Sequence, residues 1–438
     1  MRNITLRLIG IIVLSVLVVG IIFAGGYQLN EHGARAVGMG GAFVARASDP
    51  SAIYFNPAGL AYQKGINVLG GFNLIMPSQK FKGDGINVPS TETSTNSQVF
   101  TPVNLYGTYQ IDDQFVVGLG IFNPYGLGTE WPDNWVGKYL AVKTDIQTWY
   151  FNPSVGYKIN DELSVGLGLS YIYGKVNMGY KVPTVASLIP LGGPYYAPNT
   201  AAAAVGAVDL EATASGFGVN FGAIYKPIEK LSIGFSFRSL TKLEFSGTAK
   251  FTDMLALAPY FPGGDGKATL PMPMNIYLGA SYEVLPELTV EGDIQFVGWS
   301  AYKELAVNIP TGPLFPLPPQ AGGPTAFQKA GAPAIKDWSD GYLLRAGGEY
   351  KYSDEIMLRG GLILDISPQP PSKTEPMLPD GDRIDISIGG SYKIDANFSV
   401  DAAYMLVLFM ERDAKNSVLP GTYNSNAHIF SVNVGYTF

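Results

Sequence analysis

Six short polar connections recur along this chain, and their spacing admits few folds. They are Asp112-Asp113-Gln114, Asn160-Asp161-Glu162, Pro227-Ile228-Glu229-Lys230, Leu285-Pro286-Glu287, Ser353-Asp354-Glu355 and Asp395-Ala396-Asn397. Each lies between two stretches in which apolar residues alternate with small or polar ones, the period of a half-buried strand. Seven longer, irregular connections separate these turns. Six short turns and seven long loops join fourteen strands, with both ends on the short-turn rim. Short turns on one rim and long loops on the other are the pattern of a bacterial outer-membrane barrel. The expected fold is therefore all-β, a fourteen-stranded antiparallel transmembrane barrel.

Composition agrees with a chain that hides its apolar face in every second residue. Hydrophobic residues make up 47% of the 438, charged residues only 15%, and there are 26 Tyr, 23 Phe and 53 Gly. The body of the chain lacks the runs of ~20 apolar residues that spanning helices need. A net charge of −7 gives no reason to expect nucleic acid as a partner. There is no cysteine, which excludes disulfides and thiol nucleophiles and suits passage through an oxidising periplasm.

The start reads as an export signal. Arg2 and Arg7 precede an apolar core from Ile9 to Phe23, and the small residues Ala24-Gly25-Gly26 follow. The expected division is a signal peptide over 1–24, a separate segment over 25–62 and the barrel over 63–438. An inner-membrane anchor is the competing reading of the first segment. Ile22 is not small, so the cut is expected within a residue or two of Ala24.

Several strands separate their faces cleanly. Val165, Leu167, Leu169, Tyr171 and Tyr173 share one face, and Ser164, Gly166, Gly168 and Ser170 the other. Ile356, Leu358, Leu362 and Leu364 alternate with Glu355, Arg359 and Asp365, and Ile384, Ile386, Ile388 and Tyr392 with Arg383, Asp385, Ser387 and Lys393. The apolar set should meet lipid and the polar set the lumen. By face, Arg238, Glu291, Asp293, Arg345, Glu349, Arg359, Asp365, Arg383 and Asp385 then point inward, where charges of both signs are expected to pair with each other or with a plug. Arg238 and Arg359 are the candidates to meet an anionic ligand instead.

Residues 25–62 fit no strand series and are rich in Gly, Ala and short polar residues. They form either a periplasmic tail or a plug. A plug has a physical reason, because an empty barrel of this size is a water channel.

Gly26-Tyr27-Gln28-Leu29-Asn30-Glu31, Gly38-Met39-Gly40-Gly41-Ala42, Asp49-Pro50-Ser51 and Asn56-Pro57-Ala58-Gly59-Leu60 resemble the N-terminal hatch of the FadL-type outer-membrane transporters of long-chain fatty acids and hydrocarbons. The likeness continues through Asn123-Pro124-Tyr125-Gly126-Leu127-Gly128-Thr129-Glu130, Asn152-Pro153-Ser154-Val155-Gly156-Tyr157-Lys158, Gly298-Trp299-Ser300 and Leu378-Pro379-Asp380-Gly381-Asp382-Arg383. It implies a barrel closed by its hatch, with hydrophobic ligands caught at outer loops, passed to an inner pocket and released sideways into outer-membrane lipid. It implies a gating role for Asn56, Pro57 and Ala58, and an inner-pocket place for Tyr27. It also implies an inward kink in the third strand as the lateral opening, placed at Phe122, Asn123, Pro124, Tyr125 and Gly126. Proline cannot donate a ladder hydrogen bond, so a simple strand end at Pro124 is the alternative.

Two long loops are apolar for an exposed rim. Leu188 and Ile189 in one, and Leu255, Leu257, Tyr260 and Phe261 in the other, form either an outer capture site or a lid packed on itself. The final residues His428, Phe430, Val432, Val434, Tyr436 and Phe438 share a face and end on an aromatic. This resembles the C-terminal strand by which the barrel-assembly machinery recognises outer-membrane proteins, with Phe438 as the contact.

Passive uptake of a hydrophobic small molecule, most readily a long-chain fatty acid, is the expected function, with aromatic hydrocarbons as the alternative ligand. An outer-membrane hydrolase finds little support. His32 and His428 are the only histidines, and no Ser/His/acid or metal-ligand spacing is visible. No metal, other cofactor or catalytic residue is expected, and the protein is expected to be monomeric. A general porin is disfavoured by the hatch-like segment.

Overall fold

A computed structural model describes residues 25–86, 88–182, 206–254, 258–259, 261–308, 334–415 and 419–438. The signal segment expected over 1–24 lies outside them. The strands are β1 (Ile66–Gly83), β2 (Glu92–Ser94 and Val103–Gln110), β3 (Phe115–Phe122 and Gly126–Glu130), β4 (Lys143–Lys158) and β5 (Leu163–Val182). There follow β6 (Gly206–Ile228), β7 (Leu231–Arg238 and Thr241–Thr252), β8 (Gly264–Met272 and Asn275–Leu285), β9 (Leu288–Val297) and β10 (Gly341–Lys351). The last are β11 (Ile356–Asp365), β12 (Arg383–Lys393), β13 (Phe398–Phe409) and β14 (Gly421–Thr437). Each runs antiparallel to the next, and β1 pairs with β14 from Asn67↔Thr437 to Gly83↔Gly421. That pairing closes a fourteen-stranded barrel, joining its first and last strands.

All six short turns fall where their residues place them. Asp112, Asn160 and Asp395 each fold the chain by accepting, through Oδ1, the N–H groups two and three residues on, at 2.8–2.9 Å. This is the local chemistry that makes Asx residues turn formers.

The faces separate as the alternation requires. Leu167, Leu169 and Tyr171 are exposed outward on β5, whereas Ser164 and Ser170 are buried inward. From Val165 to Tyr173 the outward band covers about 22 Å of barrel height for a strand tilted by ~35°. Above it the outer wall turns polar, where Lys175 pairs with Glu211 at 3.0 Å. Trp149 and Tyr173 mark that boundary, with ring centroids 5.7 Å apart.

Residues 25–62 lie against the inner wall. They contain α1 (Ala34–Gly38), α2 (Ala52–Phe55) and a 3-10 turn over Pro57–Tyr62. Their packing depends on glycine in the strands. A Cβ on Gly166 would stand 2.2 Å from the Pro57 carbonyl carbon, and one on Gly361 would stand 2.1 Å from that of Met39. The small residues on the lumen face let the hatch backbone touch the sheet.

Candidate functional site

Charge and backbone polarity hold the hatch in the lumen. Glu349 on β10 accepts from Arg35 at 2.9 and 3.0 Å, from Arg46 at 2.5 Å and from Arg359 at 2.6 Å. Asp293 takes the N–H groups of Phe43 and Val44 at 2.9 and 3.2 Å, and Glu291 that of Ala45 at 2.7 Å. The lumen charges thus pair largely with the hatch or with neighbouring strands, because an unpaired charge in the interior is costly.

Asn56 supports its own turn and ties it to two others. Its Nδ2 donates to the carbonyls of Val44 at 2.8 Å and Ala223 at 3.1 Å, while its Oδ1 accepts from Ala58 N at 3.2 Å. Pro57 follows as the first residue of the 3-10 turn, where its missing N–H is no loss. Asn56, Pro57 and Ala58 are all buried.

β3 does not end at Pro124; it bulges and resumes. Phe122 pairs with Tyr150 and Gly126 with Gln147, so three residues of β3 oppose two of β4. Side chains replace the missing ladder. Asn123 donates to the Thr148 carbonyl at 2.6 Å and accepts from Val103 N at 2.9 Å, and the Thr148 hydroxyl donates to the Tyr125 carbonyl at 2.7 Å. On the other side β3 loses its partner. Its backbone ladder with β2 stops at Asn104↔Phe122, and the next backbone–backbone bond between the two is Asn96 N to Glu130 O at 2.8 Å. Between those points β3 pairs instead with the hatch, through Leu29 N to Pro124 O and Gly126 N to Tyr27 O, both 2.9 Å. The Phe100 ring lies over Gly128, where a Cβ would meet its Cζ at 1.7 Å.

Tyr27 is buried in an aromatic cage. Its centroid stands 4.7 Å from Trp299, 5.9 Å from Tyr302, 6.1 Å from Tyr125 and 6.3 Å from Trp338. Its hydroxyl donates to the Pro271 carbonyl. The preceding Gly26 is left-handed, and a Cβ there would stand 2.6 Å from Trp338. Tyr27 is singled out by the sequence, but most of its cage is not. Tyr302 and Trp338 carry no local signal, and Gly298-Trp299-Ser300 stands out only through its family likeness.

Arg359 and Arg238 differ in their surroundings. Arg359 is taken up by Glu349, by Asp401 at 2.9 Å and by the Ser391 hydroxyl. Arg238 donates through Nη2 to the Tyr54 carbonyl at 3.1 Å and lies 5.1–5.8 Å from the ring centroids of Tyr54, Phe122 and Tyr150. Its buried Nη1 has no hydrogen-bond partner among the described residues. The guanidinium that carries this donor thus lies beside Phe122 and Tyr150, the last pair before the β3 bulge.

His32 stacks on Tyr54 with centroids 3.7 Å apart and donates through Nε2 to the Leu29 carbonyl at 3.1 Å. Burial drives its pKa from 6.5 down to about 3, and Arg238 pushes the same way. The seated hatch therefore keeps His32 neutral, whereas a released hatch takes up a proton below pH ~6.5. At this residue the released state then binds more protons, so the His32 contribution to seating weakens as pH falls below that value. At pH 5 the loss from His32 is about 2 kcal/mol. Glu31, raised by burial, has the opposite sign, because its seated form is the first to take a proton. Limited proteolysis of the unmodified protein and of His32→Gln between pH 7 and 5 should differ in slope, the unmodified hatch gaining more cleavage toward the acid end than the variant does. An unchanged slope in the variant would remove His32 as its cause.

Of the apolar loop residues, Leu188, Ile189, Leu255, Leu257 and Tyr260 lie outside the described residues. Phe261 is buried with Val182, Val208 and Met254. A second rim cluster escaped sequence reasoning. Trp131 and Trp135 stack at 4.1 Å beside Phe81 and Tyr423, and the Trp131 indole donates to the Pro376 carbonyl at 3.0 Å. The cluster ties together loops far apart in the chain, and no local pattern announces it.

The family described as outer membrane protein transport protein (OMPP1/FadL/TodX) matches residues 15–438. The long-chain fatty acid transport protein of Escherichia coli strain K12 is 26% identical over 444 residues, covering 95% of each chain. The 47 kDa outer membrane protein of Pasteurella multocida is 27% identical over 440 residues, covering 96% of each. Among solved structures, a Pseudomonas aeruginosa FadL homologue superposes with a TM-score of 0.81 at 21% identity, covering 94% of this chain and 100% of that one. The toluene transporter TodX of P. putida gives 0.70 at 16% identity, covering 94% and 99%. At these identities the structural likeness establishes the fold. Barrel, loop asymmetry and family match agree: the chain belongs to the OMPP1/FadL/TodX family, outer-membrane transport channels for hydrophobic compounds rather than enzymes.

Proposed function

We propose that this channel takes up long-chain fatty acids by passive diffusion and releases them sideways into the outer membrane through the gap between β2 and β3. The observation that carries this reading is the exchange of partners at the bulge, where β3 leaves β2 and bonds to Tyr27 and Leu29 of the hatch. Withdrawal of that short segment breaks two backbone hydrogen bonds and uncovers Phe122, Asn123, Pro124, Tyr125 and Gly126. Arg238 is the carboxylate partner, since its buried Nη1 has no hydrogen-bond partner among the described residues and its guanidinium lies 5.5 Å from the ring of Phe122, where the bulge begins. Burial of an acyl chain is worth ~0.8 kcal/mol per CH₂, so a single deep site would trap the ligand. A movable hatch and an exit into lipid avoid both the trap and a return to water. Asn56, Pro57 and Ala58 form the fixed turn about which the gate works. Leu188, Ile189, Leu255, Leu257 and Tyr260 supply the outer capture surface, whereas Phe261 is buried against Val182, Val208 and Met254, and Phe438 is the handle for barrel assembly.

The chain has no native cysteine, so a cross-link can be placed cleanly. Phe100→Cys and Gly128→Cys together, joined by a short thiol-reactive linker, should abolish oleate uptake, and the same variant left unlinked should retain it. Full uptake by the linked protein would refute the lateral exit. Arg238→Gln should weaken oleate binding by about tenfold, the loss of one charge-assisted hydrogen bond.

A further inference from the structure

Two cavities stand one above the other on the outer wall of β4, β5 and β6. The lower, about 350 Å³, is walled by the rings of Trp149, Phe151, Tyr171 and Tyr173. These pair across the strands, Trp149 with Tyr173 and Phe151 with Tyr171, with centroids 5.7 and 6.2 Å apart. The upper, about 430 Å³, is polar, and Asn96, Glu130, Lys143, Lys181 and Asp209 are among its walls.

Strand register joins the two in one column of outward side chains. Above the Trp149–Tyr173 row comes Gln147 beside Lys175, then Asp145, Asn177 and Glu211, then Lys143, Gly179 and Asp209. Gly179 leaves a notch in the last row, where a Cβ would stand 3.2 Å from Asp209 Oδ1 and 3.7 Å from Lys143 Cβ. Donors and acceptors are interspersed in these rows, which suits hydroxyl groups, since each hydroxyl both donates and accepts. Lys175 is paired with Glu211 at 3.0 Å and Lys181 with Asp133 at 2.9 Å, so opposite charges offset one another along the wall.

Height decides between occupants. From Trp149 to Lys143 the wall rises about 17 Å for a strand tilted by ~35°. A phospholipid head-group layer is only about 5–8 Å deep. A phospholipid with its acyl chains on the aromatic rings would leave the upper cavity out of reach, whereas an oligosaccharide head group spans the distance. We infer that this wall binds a glycolipid of the outer leaflet, with its acyl chains against the aromatic cavity and its sugars along the polar rows into the upper one. The site is continuous with the lipid-facing band and lies outside the lumen, so it does not depend on the path of the transported ligand.

The test titrates purified full-length protein in detergent with rough lipopolysaccharide, read by calorimetry and native mass spectrometry. Phosphatidylglycerol serves as an acylated anion without sugar, and the deacylated saccharide of the same lipopolysaccharide as sugar without acyl chains. Lipopolysaccharide should bind saturably and about tenfold or more tighter than either, because it alone fills both cavities. Trp149→Ala, which removes a wall of the lower cavity, should weaken it by about tenfold. Gly179→Gln, which fills the notch without a contact below 3.0 Å at its Cβ, should also weaken it and does not disturb the aromatic rows. Phe430→Ala, exposed on the outer wall of β14, is the matched control and should leave the affinity unchanged. Migration as a folded barrel on unheated gels checks assembly of each variant. Absence of saturable binding would overturn the inference, as would equal affinity for phosphatidylglycerol or for the deacylated saccharide, or an equal loss in Phe430→Ala.

Discussion

Glu349→Gln is expected to unseat the hatch while leaving the barrel intact. The carboxylate is buried and receives four hydrogen bonds from three guanidinium groups, two of them on the hatch. A neutral amide cannot balance Arg35, Arg46 and Arg359 together. Asp49, 3.6 Å from Arg35, and Asp401, 2.9 Å from Arg359, compensate only in part. Removing one partner from a buried ionic cluster costs about 3–5 kcal/mol. The strand ladders do not depend on Glu349, because β10 stays paired to β9 and β11 through its backbone. The variant should therefore still migrate as a folded barrel on unheated gels. In planar bilayers it should pass ions, since a barrel of this size without its plug is a water channel. A silent bilayer together with an unchanged protease pattern would count against Glu349 as the anchor.

Gly222→Val should cause the second large loss, through shape rather than charge. A Cβ on Gly222 would stand 2.0 Å from Asn56 Oδ1 and 2.9 Å from Pro57 Cδ. Neither neighbour can yield. Asn56 makes three hydrogen bonds, each worth ~1 kcal/mol, and Pro57 has a locked φ. Overpacking adds about 1–3 kcal/mol. Oleate uptake should fall by more than about tenfold, the factor set by about 1.4 kcal/mol of a gate held wrongly. Gly107→Val is the matched control, because nothing lies within 4 Å of a Cβ there. Equal uptake by the two variants would show that close contact between β6 and the hatch turn is irrelevant.

The parts legible in the chain are those written in short-range chemistry. Asp112, Asn160 and Asp395 bond to N–H groups two and three residues away, so their turns form wherever the sequence places them. Alternation from Ser164 to Tyr173 sets the faces of a strand by the same local rule. Asn56 and Pro57 are recognisable as a turn, and Pro124 as an interruption of β3. The inward direction of charges such as Glu349 and Asp293 follows from their place in the alternation.

The pairing of those charges cannot be read in the same way. Arg35 and Glu349 are 314 residues apart, and Tyr27 meets Trp299, Tyr302 and Trp338 across a similar span. Pro124 announces a break, but not that β2 departs from β3 over 97–102 or that the hatch takes its place. By itself the sequence determined strand number, turn positions and inner and outer faces, because each depends on residues within a few positions of one another. Only closure of the barrel decided which inward residues share the lumen, what seals the bulge and what surrounds Tyr27. Those neighbours are brought together by registers summed around fourteen strands, and no local pattern carries that sum.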